Sequence, residues 1–158
     1  MLLVPHTLVG IAVGIAVKNP YAAVPLSFGL HFLGDLVPHW DYCYKSRDGT
    51  VDKKYPLKVM ADMSIGIGLG MFFTLYALWQ LKNPAMAQNI FLCGISSVLP
   101  DVLTGPVIFD ENTRGLPRLI YKIQDKIHFQ APLPWGLISQ VVVAGACLLL
   151  ILSSLGLL

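Results

Sequence analysis

Charge is scarce in this chain. Asp, Glu, Lys and Arg make up 13% of its 158 residues, where soluble domains carry about a quarter. That scarcity excludes an ordinary water-facing surface. A net charge of +2 excludes the strong basic field of a nucleic-acid binder, so no nucleic-acid partner is expected. Cysteine is scarce as well. Cys43, Cys93 and Cys147 are odd in number and lack CxxC spacing, which excludes a disulfide framework and a thiolate zinc site. Cys93 and Cys147 read as small core residues. No nucleophilic serine motif occurs, and Ser64, Ser96 and Ser97 read as packing residues. No basic stretch precedes the first apolar run, so a secretory signal is not expected there.

Apolar residues are abundant, at 55% of the chain with a mean hydropathy of +0.66. Apolar runs over 2–17, 21–37, 57–81, 85–103 and 134–158 approach or exceed the roughly 20 residues that span a bilayer. The first two are short, suited to a small tilt, to packing inside the protein or to a re-entrant path. Backbone groups in lipid must pair internally, which favours helices. The expected fold is all-α: one polytopic membrane domain over 1–158, a bundle of about five helices. Two repeated helical hairpins and a C-terminal helix over 134–157 would build it.

Lys18 and Lys82 occupy tight connections. The remaining basic residues fall in two long loops: Lys45, Arg47, Lys53, Lys54 and Lys58 in one, Arg114, Arg118, Lys122 and Lys126 in the other. The positive-inside rule places both loops in the cytoplasm. The expectation is therefore a multi-pass protein of the inner (plasma) membrane with a cytoplasmic N-terminus and the lipid bilayer as its partner.

The halves 3–41 and 57–105 resemble each other. One runs His6-x3-Gly10-x3-Gly14, Lys18-Asn19-Pro20 and Leu36-Val37-Pro38-His39. The other runs Asp62-x3-Gly66-x3-Gly70, Lys82-Asn83-Pro84 and Val98-Leu99-Pro100-Asp101. Each half reads as a hairpin whose Asn-Pro turn starts the second helix. The small-x3-small spacing allows close helix approach. By this topology His6, the 31–41 cluster, Asp62 and Asp101 converge at one membrane side. An amphipathic linker over 114–131 follows, with an apolar stripe of Leu116, Leu119, Ile120, Ile123 and Ile127. It suits the headgroup region, and His128 near its end comes within reach of the cluster. The Arg-Asp-Gly turn signal marks the first long loop. Asp48, Asp52, Asp110 and Glu111 read as solvated loop residues. Trp40, Tyr42, Trp79 and Trp135 read as interfacial anchors.

His31 and Asp35 are four residues apart and share a helical face. His39 and Asp41 follow Pro38, where a helix should break. Ionisable groups near the bilayer centre cost roughly 2.5–3.5 kcal/mol each and mark function. Imidazole and carboxylate without thiolate suit a divalent ion, zinc or manganese foremost. The metal-ligand candidates are His6, His31, Asp35, His39, Asp41, Asp62 and Asp101. Asp35 and Asp62 are the catalytic candidates, one carboxylate serving as general base. The corresponding reaction is hydrolysis of an ester or phosphoester, in a lipid-associated substrate or at the cytoplasmic face. A cation or proton transporter and a non-catalytic packing protein are the competing classes.

The Pro38-His39-Trp40-Asp41-Tyr42 stretch, with His6 ahead of it, resembles the bacterial inner-membrane, membrane-bound metal-dependent hydrolases. Those proteins carry an early histidine and a helix end of the form Pro-Asp-x-Asp-His. The resemblance covers mainly the first sixty residues, with Leu99-Pro100-Asp101 as a fainter echo. It implies that His39 and Asp41 take the two acidic ligand positions and His6 that of the early histidine. Here histidine replaces the first aspartate, tyrosine follows the second, and no Arg-Gly-x-Thr-His-Ser segment occurs.

Overall fold

A computed structural model describes residues 1–42, 51–110 and 112–158. The Arg-Asp-Gly turn, Cys43, Lys45 and Glu111 lie outside the described residues. Six helices and no strand occur among the described residues: α1 (Leu3–Ala16), α2 (Pro20–Asp35), α3 (Tyr55–Trp79), α4 (Pro84–Phe109), α5 (Leu116–Ile127) and α6 (Trp135–Ser154). Three stretches are long and apolar enough to cross a membrane, namely α3, the Pro84–Ile108 part of α4, and α6. With 14 residues, α1 is only about 21 Å long at 1.5 Å per residue. It is apolar but short of a full span.

Local chemistry explains where two of the helices start. Asn19 accepts a hydrogen bond from the Tyr21 amide and Asn83 from the Met86 amide, both at 3.0 Å. Each is followed by a proline in the first helical turn, where the missing N–H is harmless. The fourth helix departs from the expected pattern at its other end. It continues through Pro100 and Pro106 to Phe109, so Asp101 lies within a helix and not at its end. Neighbouring helices and side chains can re-satisfy carbonyls that a proline frees in such a helix.

The short first helix is the centre of the bundle. It packs against α2, α3, α4 and α6, and its buried residues include Pro5, His6, Leu8, Gly10, Ile11 and Gly14. A Cβ on Gly10 would lie 2.5 Å from the Cys93 carbonyl, and one on Gly14 would lie 2.8 Å from the Ile90 backbone. The small-x3-small spacing therefore serves close approach to α4. Leu8, Ile11, Phe73, Ala77, Ile90 and Ile151 form the main apolar core around this contact. By contrast α3 and α6 turn many large apolar residues outward, among them Ile65, Ile67, Phe72, Val141 and Leu149. A bilayer would cover such a surface.

Polar side chains tie α2 to α4. Ser27 Oγ donates to the Cys93 carbonyl at 2.8 Å, and Ser96 Oγ donates to the Val24 carbonyl at 2.9 Å. At the far end the Asn89 amide donates to the carbonyls of Val17 (3.0 Å) and Lys18 (2.9 Å). Seam and core together bring the start of α1 to the ends of the site-bearing segments of α2 and α4.

Candidate metal centre

All four histidines and three aspartates meet where α1 begins and α2 ends. The helical spacing of His31 and Asp35 holds: His31 Nε2 is 3.4 Å from Asp35 Oδ2 and also 3.4 Å from Asp101 Oδ1. From α1, His6 brings Nε2 to 3.2 Å from Asp35 Oδ1 and stacks on His31 with ring centroids 4.0 Å apart. His6, His31, Asp35 and His39 are fully buried.

The segment after α2 is fixed by a short parallel pairing with the segment after α5. The His39 amide donates to the Phe129 carbonyl (3.0 Å), and the Ala131 amide donates to the His39 carbonyl (2.7 Å). This pairing brings the ring of His128 to 4.4 Å from that of His39. His39 Nε2 lies 3.2 Å from Asp41 Oδ2, and His128 Nε2 lies 3.8 Å from the same oxygen.

Two ligand groups result. His6, His31 and Asp101 form an inner one; Asp35, His39 and His128 form an outer one. In each, one ligand atom per residue falls within 4.8 Å of the others. Asp35 touches both, through His6 and His31 on one side and the outer group on the other. Asp41 borders the outer group.

Proton positions follow from the backbone. His31 Nδ1 is 2.7 Å from the Ser97 carbonyl, and His39 Nδ1 is 2.7 Å from the Val37 carbonyl. A carbonyl only accepts, so each Nδ1 carries the proton and donates. In the neutral ring Nε2 then presents a lone pair to the site. Metal-binding histidines are usually oriented in this way.

Cationic or N–H donors sit against these acceptors. The terminal ammonium of Met1 donates to Asp35 Oδ1 (2.7 Å), His39 Nε2 (2.7 Å) and Asp41 Oδ2 (3.0 Å). It lies against two members of the outer group, Asp35 and His39, and against Asp41 on their border. In the inner group the Gln124 amide nitrogen is 2.7 Å from Asp101 Oδ1 and 3.0 Å from His31 Nε2. Burial alone would push the Asp41 carboxyl up. The adjacent His39 imidazole and the Met1 charge outweigh it and hold Asp41 below the usual carboxylate range. Burial, with His39 nearby, pushes His128 below the ordinary imidazole value. Both residues are thereby kept in metal-ligating form.

Asp62 is placed differently from the other candidates. Its oxygens accept from the backbone N–H groups of Leu3 (2.7 Å) and Val4 (3.3 Å). A carboxylate on α3 thus caps the start of α1, with a favourable dipole interaction. It belongs to neither ligand group. Two glutamines carry weight that no pattern in the sequence announces. Gln124 on α5 faces His31 and Asp101 of the inner group. Gln140 on α6 accepts from the Leu2 amide (2.8 Å) and donates to the Trp40 carbonyl (2.7 Å). Beside it, Gly136 leaves room for the site segment: a Cβ there would be 2.5 Å from the Trp40 nitrogen. The last helix therefore also positions the site.

No protein-family model matches the chain, and no curated protein or solved structure matches it.

Proposed function

We propose that this chain is a membrane-embedded, divalent-metal-dependent hydrolase acting on an ester or phosphoester at the cytoplasmic membrane face. One observation carries the reading. His31 and His39 each give their Nδ1 proton to a backbone carbonyl and aim Nε2 at carboxylates. A donor set of neutral imidazoles and ionised carboxylates fits zinc or manganese. His6, His31 and Asp101 would hold one ion. Asp35, His39 and His128, with Asp41 beside them, would hold a second after displacing the Met1 ammonium. An ion so held supplies Lewis acidity and an activated water near neutral pH.

The chain's own groups divide the remaining work. Asp35 is almost fully enclosed and orients both groups. Asp41 and His128 are the partly exposed members, with side chains 22% and 30% accessible. They are the groups able to meet a substrate and exchange a proton with it. The resemblance of the 38–42 stretch to membrane-bound metal-dependent hydrolases supports the same assignment. The matching Asn19-Pro20 and Asn83-Pro84 helix starts agree with the two-hairpin reading that brings these residues to one membrane side. Exposed Leu116, Leu119 and Ile123 on α5, beside Arg118 and Lys122, suit a helix in the headgroup layer. On this reading that layer is cytoplasmic.

The test is elemental analysis of untagged protein after growth with zinc and manganese. Wild type is expected to retain metal and to hydrolyse a simple phosphoester or ester only when loaded. His31→Ala should lose most of the metal and His128→Ala less. Equal metal in wild type and His31→Ala, or none in either, would reject the reading.

A further inference from the structure

Gln124 reaches the inner group from α5, and the hydrolase reading leaves its side chain without a role. Its amide nitrogen faces two acceptors at once, Asp101 Oδ1 at 2.7 Å and His31 Nε2 at 3.0 Å. In its neutral, metal-binding form His31 cannot donate from Nε2, because its proton is held on Nδ1 by Ser97. The carboxylate of Asp101 cannot donate either. The amide therefore supplies the two N–H groups that satisfy the pair. A helix docked on the outside of the bundle has delivered a polar group to two of the three inner ligands.

A carboxamide offers more than donors. Its nitrogen and oxygen ends have nearly the same shape, and half a turn about the last side-chain bond exchanges them. With a cation among His6, His31 and Asp101, an N–H pointed at the same place would be repelled. A carbonyl oxygen would be attracted. We propose that Gln124 is the fourth ligand of the His6–His31–Asp101 position. Without an ion its NH2 donates to His31 and Asp101. With a divalent ion its oxygen turns inward and closes the set at two nitrogens and two oxygens.

The proposal rests on the metal reading above and adds a division of labour to it. Four protein ligands make the inner position closed, as in structural sites, whereas the outer position keeps an open side. Burial of α5 supports the placement. Ile120, one turn before Gln124, is buried against the bundle, while Leu119 and Ile123 on either side are exposed. Gln124 is thus carried on the bundle-facing side of the helix.

Three variants of the full chain test this, purified metal-free in detergent. Zinc affinity is read by competition with a chromophoric chelator, and thermal unfolding is read with and without zinc. Gln124→Ala is expected to bind zinc about 10- to 100-fold more weakly and to melt lower when metal-free. Gln124→Glu is expected to melt lower when metal-free, since a third acceptor then faces His31 and Asp101. With zinc it should bind at least as tightly as wild type and gain more in Tm on loading. A purely structural amide predicts a lower Tm for Gln124→Glu in both states with no such gain, and that result overturns the proposal. Gln124→Asn keeps the amide but withdraws it by one methylene. If Gln124→Ala fails to fold, weaker zinc binding by Gln124→Asn supports the proposal and unchanged binding overturns it. Unchanged affinity in every variant rejects Gln124 as a ligand and leaves the metal reading standing. Absence of zinc binding by wild type rejects the metal reading itself, and the proposal with it.

Discussion

The seam between α2 and α4 carries polar residues along its length, but they are of two kinds. In its middle stretch Ser27 and Ser96 each donate to a backbone carbonyl of the opposite helix. Donor and acceptor are matched one to one, and nothing is left over. At its lower end His31, Asp35 and Asp101 present acceptors to one another. Their donors come from elsewhere, from Gln124 on α5 and from the Met1 ammonium. The first pattern holds helices together. The second gathers excess acceptor capacity at one point, which is the electrostatic description of a cation site. Both stretches are buried and polar, so polarity inside a bundle does not itself mark function. The balance of donors against acceptors does.

Asp35 gives that comparison its hardest test. It contacts the Met1 ammonium, His6 and His31, and so it is a member of the outer ligand group that also touches two members of the inner one. Asp35→Ala should abolish metal retention more completely than any other single change, His31→Ala included. Elemental analysis of protein prepared under matched conditions reads this directly. Retention of half or more of the wild-type metal would show that the lower seam is a packing network like the middle one.

Acid should separate the two stretches next. Imidazoles bind metal when neutral, so protons compete for the same lone pairs. Metal should be held above the ordinary histidine range near pH ~6.5 and released as pH falls through it. Burial pushes His128 below that value, and the His39 imidazole and Met1 charge hold Asp41 below the usual carboxylate range. These two should not be the groups that release first. Dialysis at stepped pH followed by metal analysis gives the profile. The serine bonds of the middle stretch do not titrate, so helix content should persist while metal leaves. Loss of both together would mean that the site holds the fold.

The sequence showed part of this arrangement and concealed the rest for physical reasons. The shared face of His31 and Asp35 follows from helix geometry, and the Asn-Pro starts follow from capping chemistry. The amphipathic α5 follows from its stripe. Five spanning runs were expected where three helices meet the length and composition of a span, because apolar content does not distinguish a lipid-facing helix from a buried one. The short α1 is apolar because protein surrounds it. Gln124 and Gln140 carry no local signal, since a glutamine acquires a role only when tertiary docking decides what it meets. Pro100 suggested a helix end, yet packing carries α4 through it.

Asp62 shows the same limit from the other direction. Spacing made it equivalent to His6 and a candidate ligand and base. Its two oxygens instead accept from Leu3 and Val4. Asp62→Ala should therefore cost stability, about 1 kcal/mol by the usual range for lost caps. Metal content should stay at the wild-type level. Denaturant or thermal unfolding in detergent measures the first and elemental analysis the second. Metal loss without a change in stability would return Asp62 to the ligand set.

The smallest effect is expected in the middle of the seam. Ser27→Ala removes one donor to the Cys93 carbonyl and no acceptor, at a position with no accessible surface. Interhelical hydrogen bonds of this kind contribute on the order of 0.6 kcal/mol. The carbonyl left behind belongs to a helix and retains its own intrahelical donor, which limits the cost further. Unfolding should shift only slightly, and metal content, its pH profile and hydrolysis should not move. Should Ser27→Ala lower metal retention as far as His31→Ala does, the two stretches would be one coupled network. The balance of donors and acceptors would then no longer separate packing from function along this seam.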